Sequence, residues 1–216
     1  MATKKLIEVA LPLEKINLEA EKEKQIRHAH PSNLHQYWAR RPFTTARAVI
    51  WASLVDDPSS HPDLFPTEED QNRERNRLFK VLESLVEWEN SNDEFILKQA
   101  KKEIIKSTNN NPPALLDPFC GGGAIPFEAQ RLGLETHAHD LNPIAVMINK
   151  VMIEFPALFP NSSPVNPRSR KLFQTQWEGI TGHAEDVQYY GERINEEAKR
   201  IVGSNYPKVK LTCCAS

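Results

Sequence analysis

A glycine-rich turn between two short apolar segments is the part of the sequence best suited to bind a small molecule. Consecutive glycines let the backbone turn sharply and approach a ligand without obstruction from a Cβ atom. The turn lacks the G-x-G-x-x-G spacing of NAD and FAD sites, and no lysine follows it as in a phosphate-binding P-loop. It reads Asp117-Pro118-Phe119-Cys120-Gly121-Gly122-Gly123.

Two carboxylates accompany the glycines. Asp117 stands directly before the turn, and Asp140 ends the next apolar segment, where an acidic residue commonly accepts hydrogen bonds from ribose hydroxyls. A carboxylate beside the loop would repel a pyrophosphate. The pair therefore favours S-adenosylmethionine, which has a ribose and an ammonium group but no phosphate. The alternative interpretation is a strand-to-helix turn of small residues that binds no ligand.

The segments around the turn predict a βαβ unit. Residues 114–116 form a short apolar run typical of a buried parallel strand, 125–132 a helix, and 134–139 a second strand. A further apolar helix is expected over 144–152. This alternation of strands and helices predicts the α/β fold class.

Clusters of proline divide the chain into regions. A helix is expected over 43–54, directly after Pro42, and apolar residues at helical spacing predict two more helices between 73 and 105. The expected regions are an N-terminal domain (1–58), a helical insertion (59–111), a cofactor-binding βαβ unit (112–160), and a loop, polar helix and truncated tail (161–216).

Three motifs carry a resemblance to known methyltransferases. The glycine turn resembles the D-P-F-x-G-[SG]-G cofactor motif of amino-group DNA methyltransferases, and Ala138-His139-Asp140-Leu141-Asn142-Pro143 resembles their next acidic motif. His28-Ala29-His30-Pro31-Ser32 and Tyr37-Trp38-Ala39-Arg40-Arg41-Pro42 resemble a domain at the N-terminus of large adenine-specific DNA methylases that carry a zinc ribbon. Those enzymes often occur among phage-defence genes, and the resemblance covers residues 6–167.

The resemblance implies a fold, a cofactor and a substrate. The fold is a partial Rossmann-like sheet of the class I methyltransferases, with an N-terminal helical region and a helical insertion. The implied activity is S-adenosylmethionine-dependent N6-methylation of adenine in duplex DNA, within a restriction-modification or phage-defence system. The implied cofactor-binding residues are His30, Pro31, Asp117, Pro118, Phe119, Cys120, Gly121, Gly123, Asp140, Leu141 and Asn142.

The catalytic motif of these enzymes, [DNS]-P-P-[YFW], has no good match. Asn111-Pro112-Pro113 is followed by Ala114 where an aromatic residue is needed, and it precedes the first strand. The catalytic residues therefore stay unknown, and we expect an N-terminal part whose catalytic half lies on a downstream polypeptide. The alternatives are a non-catalytic remnant or subunit, and a methyltransferase that acts on RNA or a small molecule.

Residues 24–55 contain no acidic side chain. One interpretation is that an arginine here faces the carboxylate of the cofactor; the others are phosphate contact to DNA and a solvated basic helix. Tyr37 and Trp38 have two possible interpretations, as stacking partners of adenine or as core residues. The cations of this segment are Lys24, Arg27, Arg40, Arg41 and Arg47.

Composition and residue spacing argue against several classes of protein and of site. The 216 residues include 27 Lys and Arg and 29 Asp and Glu, a net charge of −2 that argues against binding by bulk phosphate neutralisation. No apolar run approaches the roughly 20 residues of a membrane helix, so no membrane contact and a cytoplasmic location are predicted. The adjacent Cys213 and Cys214 imply no disulfide framework. No metal site is predicted, because His28, His30 and His35 lack further ligands at workable spacing.

Overall fold

Two compact units divide the chain, residues 1–153 and 154–216, in a computed structural model that describes residues 3–28, 30–169 and 177–206. The expected truncated tail, with Cys213 and Cys214, lies outside the described residues. The first unit contains the helices α1 (Leu6–Val9), α2 (Leu13–Gln25), α3 (Phe43–Leu54), α4 (Glu68–Val86), α5 (Glu94–Ser107), α6 (Ala124–Arg131) and α7 (Pro143–Asn149), and the strands β1 (Leu115–Asp117) and β2 (Thr136–Ala138). The second unit contains α8 (Phe155–Leu158) and α9 (Thr181–Val202).

Helix α3 lies at the centre of the first unit and contacts α1, α2, α4, α5 and α6. Its alanines let neighbouring helices approach closely, and the indole of Trp51 fills the space between them. Trp51 is fully buried, and its Nε1–H donates to the carbonyl of Ala100 on α5 at 3.0 Å. The predicted helix over 43–54 is therefore confirmed, and it forms the core together with α4 and α5.

The predicted fold class is wrong. The described residues contain only two strands of three residues each, paired parallel with Leu115 opposite Thr136, and no larger sheet. Helix α6 connects them, so the local βαβ pattern is present, but Leu116 of β1 is 64% exposed. A sheet this small buries little apolar surface, and the core instead lies among helices. The partial Rossmann-like α/β sheet inferred from the resemblance is thus corrected to a mainly helical unit with one two-stranded sheet.

A fully buried ion pair joins three helices of this unit. The guanidinium of Arg47 on α3 donates to both carboxylate oxygens of Glu128 on α6, at 2.7 and 3.1 Å. It also donates to the carbonyl of Leu85 on α4 and to the hydroxyl of Ser91. Each of its three nitrogens thus donates to a partner inside the core. Of the cations in residues 24–55, Arg47 is therefore not one that faces a cofactor.

The second unit is organised by one carboxylate. Asp186 on α9 accepts hydrogen bonds from the backbone N–H groups of Val165 and Asn166, at 2.8 to 3.0 Å. Close by, a Cβ atom at Gly182 would lie 2.0 Å from the carbonyl oxygen of Ser162, so this helical position requires glycine. These contacts attach the loop of residues 162–166 to the first turns of α9.

We expect Glu128→Gln to destabilise the protein by about 3–5 kcal/mol, because the Arg47 guanidinium would stay buried without a counter-charge. The combined variant Arg47→Met with Glu128→Leu removes both charges and should lose less stability than Glu128→Gln alone. Urea denaturation measures the free energy of unfolding. The matched control is Arg73→Met, whose side chain is 75% exposed; an equal loss in Arg73→Met and Glu128→Gln would contradict the prediction.

Candidate functional site

The glycine turn adopts a conformation that requires glycine at two positions. Gly121 and Gly123 have φ angles of +49° and +80°, in the left-handed region that side chains with a Cβ rarely adopt. A Cβ atom at Gly123 would also lie 2.8 Å from Oδ1 of Asn149. The amide of Asn149 donates to the carbonyl of Gly121 at 3.1 Å, so α7 supports the turn from one side.

Asp140 connects the end of β2 to the glycine turn. Its Oδ2 accepts the backbone N–H of Gly121 and its Oδ1 accepts the backbone N–H of Asn142, both at 2.8 Å. The hydrogen bonds from Asn142 and Gly121 hold the pKa of this carboxyl below its ordinary value, so it is charged at neutral pH. The sequence predicted that Asp140 binds ribose hydroxyls, but it did not predict that Asp140 also holds the glycine turn in place. A carboxylate has about four lone-pair sites, so Asp140 keeps acceptor capacity for a ligand.

Asp117 and Cys120 are both buried within the turn. Oδ1 of Asp117 accepts the backbone N–H of Phe119 at 3.1 Å, which fixes the first bend after β1. Burial, together with the charges of Asp140 and Asp117, raises the pKa of the Cys120 thiol to about 11. A thiol with such a pKa is a poor nucleophile at neutral pH, so Cys120 acts here as a small packing residue.

A cavity of about 460 Å³ lies between this turn and the segment before α3. Six of the predicted cofactor-binding residues line it, contributed by three separate parts of the chain: Pro31, Asp117, Phe119, Cys120, Gly121 and Asp140. Five others do not line it, namely His30, Pro118, Gly123, Leu141 and Asn142. We call this space the glycine-loop cavity.

Tyr37 also lines the glycine-loop cavity, and its ring lies against the turn. A Cβ atom at Gly121 would be 3.0 Å from Cε1 of Tyr37, and one at Gly122 would be 3.6 Å from its Cβ. The glycines therefore admit an aromatic ring of this chain to the loop backbone. The sequence motif did not identify Tyr37 as a neighbour of the turn, because the two are distant along the chain.

His30 lies outside the glycine-loop cavity, in the core next to α3. Its Nδ1 accepts the backbone N–H of Ser32 at 3.1 Å, and its ring packs on Phe43 and Trp88. Its Nε2 is 3.2 Å from Oε1 of Glu23. In this position His30 supports the entry to α3, while the neighbouring Pro31 faces the cavity.

Glu23 provides the N-terminal cap of α3. Its two carboxylate oxygens accept the backbone N–H groups of Phe43 and Thr44, at 2.8 and 2.7 Å. Burial alone would raise the pKa of Glu23, but hydrogen bonds from His30, Thr44 and Phe43 hold it below its ordinary value. The charged carboxylate is thus the form that the fold stabilises.

Comparison with known proteins gives one match. A family model described as a protein of unknown function, DUF1156, matches residues 10–81. This range contains α2, α3 and Pro31 but not the glycine turn. No curated protein and no solved structure matches the chain.

Two further properties of the described residues bear on the site. None of their helices is long and apolar enough to span a membrane. No cluster of three or more histidine, cysteine, aspartate or glutamate side chains suited to a metal ion occurs among them.

We expect Gly123→Ala to lower the free energy of unfolding by about 1–3 kcal/mol, since alanine would be strained at this φ angle and would press on Asn149. Gly122→Ala is the matched control, because Gly122 has no left-handed φ and its Cβ would have ordinary contact distances. Chemical denaturation of both variants checks this. Equal stability of the two would show that the conformation of Gly123 is not restrictive.

The low pKa of Glu23 predicts a pH dependence. Because its pKa is lower in the folded than in the unfolded state, its stabilisation is present above the unfolded value and is lost as the pH falls through the folded value. Glu23→Gln should therefore cost about 1.5–3 kcal/mol at neutral pH, and less in acid. Glu21→Gln, on the exposed face of the same helix, is the control. A difference between Glu23→Gln and wild type that is independent of pH would contradict the assignment.

Proposed function

We propose that this chain is the cofactor-binding part of an S-adenosylmethionine-dependent DNA adenine N6-methyltransferase. The observation that carries the proposal is that Asp117, Gly121 and Asp140 line one cavity together with Pro31, which comes from a distant part of the sequence. The motifs that resemble methyltransferase motifs thus meet at one place. A volume of about 460 Å³ lies within the range of small-molecule sites.

The acidic residues suit the sugar and ammonium groups of this cofactor. Asp140 is charged, lines the glycine-loop cavity and keeps acceptor capacity for ribose hydroxyls beyond its two backbone hydrogen bonds. Asp117, at the end of β1, adds a second negative charge on the same wall. A pyrophosphate would be repelled by both carboxylates, which favours S-adenosylmethionine over NAD or FAD.

Two arginines and an exposed aromatic ring also line the glycine-loop cavity. Arg40 and Arg41 stand where the carboxylate of the methionine part would find a counter-charge. The ring of Phe119 is 80% exposed at the cavity and offers a flat apolar surface to an adenine ring. When bound, the cofactor would supply an electrophilic methyl group on its sulfonium; the residues of this chain would bind and orient it.

The identity of the methyl acceptor is inferred from the resemblance, because the cavity itself does not determine it. The glycine-loop cavity would hold the same cofactor in an enzyme acting on RNA or a small molecule, or in a non-catalytic subunit. We choose adenine in DNA because both N-terminal motifs resemble adenine-specific DNA methylases. No catalytic residue is assigned.

Calorimetric titration of the full chain with S-adenosylmethionine tests the cofactor. We expect saturable binding with S-adenosylmethionine and none with NAD. Asp140→Asn should weaken the affinity about tenfold or more, by removing a charged acceptor. Phe119→Ala should also weaken it, and this side chain has no packing role that its loss would disturb.

Phe95→Ala is the matched control for Phe119→Ala. Phe95 is 76% exposed on α5 and does not line the glycine-loop cavity. Its variant should bind S-adenosylmethionine like the wild type. Failure of the wild-type chain to bind S-adenosylmethionine, with its fold intact by circular dichroism, would overturn the proposed function.

A further inference from the structure

Four cations surround a second, polar cavity beside the glycine-loop cavity. It has a volume of about 510 Å³, and we call it the basic cavity. Its cations are Lys24, Arg27, Arg40 and Arg41. Uncharged donors, among them Ser32, Asn33 and Gln36, complete much of the lining. The chemistry of this wall suits an anion that accepts several hydrogen bonds.

The cations of the basic cavity have no acidic partner among the residues that the structure describes. Elsewhere in the first unit cations are commonly paired, as Lys15 is with Glu87 and Arg75 is with Asp57. The one carboxylate on the lining, Glu23, is already engaged by two backbone N–H groups of α3. Positive charge therefore concentrates here in a protein whose net charge is −2.

An exposed aromatic ring belongs to the same segment. Trp38 is 89% exposed, and it stands in sequence between Tyr37 and Ala39, which both line the glycine-loop cavity. The other three tryptophans are buried or half-buried. Leaving an indole ring in water is unfavourable. Trp38 precedes the unpaired Arg40 and Arg41 by two and three residues along the chain, and an exposed ring combined with unpaired cations is typical of segments that stack an unpaired base and bind its phosphate.

We infer that this segment binds a nucleic-acid strand, with its phosphodiester groups in the basic cavity and an unstacked base on Trp38. The choice of DNA as the nucleic acid rests on the proposed function. Ser32, Arg40 and Arg41 line both cavities, so the strand would pass beside the cofactor cavity. Stacking on Trp38 requires a base outside a duplex, which suits an enzyme that extrudes its target nucleotide.

Fluorescence anisotropy with a labelled single-stranded DNA oligonucleotide tests the inference on the full chain. Trp38→Ala should weaken binding about 5- to 150-fold, the range for loss of one stacked base. Lys24→Gln and Arg27→Gln should each lower the slope of log affinity against log salt by about 0.7, one phosphate contact on a single strand. In the wild type, the oligonucleotide should quench tryptophan fluorescence, and Trp38→Phe should abolish this quenching.

Arg73→Gln is the matched control, because this exposed arginine lies on α4, away from the basic cavity. It should keep the wild-type affinity and salt slope. Lys24, Arg27 and Trp38 do not line the glycine-loop cavity, so their variants should still bind S-adenosylmethionine. Loss of strand binding in these variants with cofactor binding retained supports a separate nucleic-acid surface.

Three results would overturn the inference. One is that the wild type does not bind the oligonucleotide, even where it binds S-adenosylmethionine. Another is that Trp38→Ala and Arg27→Gln bind as well as Arg73→Gln. The third is that duplex DNA binds as tightly as the single strand and Trp38→Ala has no effect, since no base would then be stacked. Binding of an RNA strand of the same sequence at equal affinity would overturn the choice of DNA but support the surface.

Discussion

The buried pair between Arg47 and Glu128 determines how the two sides of the glycine-loop cavity meet. Arg47 lies on α3, whose first residue, Phe43, lines the cavity, and Glu128 lies on α6, which begins directly after the glycine turn. Two parallel hydrogen bonds between a guanidinium and a carboxylate fix both the distance and the rotation of the two helices. The position of Pro31 and Arg41 relative to Gly121 therefore depends on an interaction that touches no ligand.

An apolar pair could join these helices with equal or greater stability, because removing two charges from water is costly. An apolar pair and the Arg47–Glu128 pair differ in how strictly they fix the relative orientation of the two helices. Apolar side chains tolerate sliding and rotation, whereas Arg47 also has to reach the carbonyl of Leu85 and the hydroxyl of Ser91, which leaves it one geometry. We interpret the pair as a device that sets the geometry of the cavity, with the helical core around Trp51 supplying most of the stability.

Local features of the sequence predicted the local features of the structure. Pro42 and the alanine-rich residues after it predicted helix α3. The helical spacing of apolar residues predicted the buried positions Leu78, Leu82 and Leu85 of α4. The glycines and the carboxylates beside them marked residues that line one wall of the glycine-loop cavity. The contacts that could not be predicted join distant residues. None of the interpretations of residues 24–55 placed Arg47 in a buried ion pair, because its partner lies 81 positions away. The contact of the Tyr37 ring with the glycine turn likewise has no local sequence signal. The prediction of an α/β fold class was wrong because it also depended on distant parts of the chain. A pattern of two strands and a helix predicts a βαβ unit but does not determine how many further strands surround it.

The cap of α3 by Glu23 decides which groups remain free to attract an anion. The first N–H groups of a helix and its dipole would normally favour a phosphate or carboxylate. Here those of Phe43 and Thr44 donate to Glu23, so the helix end is already neutralised by a carboxylate of the chain itself. Attraction of an anion is thereby left to the side chains of Lys24, Arg27, Arg40 and Arg41. Because these are long and exposed, they can follow a strand that varies in conformation, whereas a helix terminus would hold a single phosphate at one fixed point.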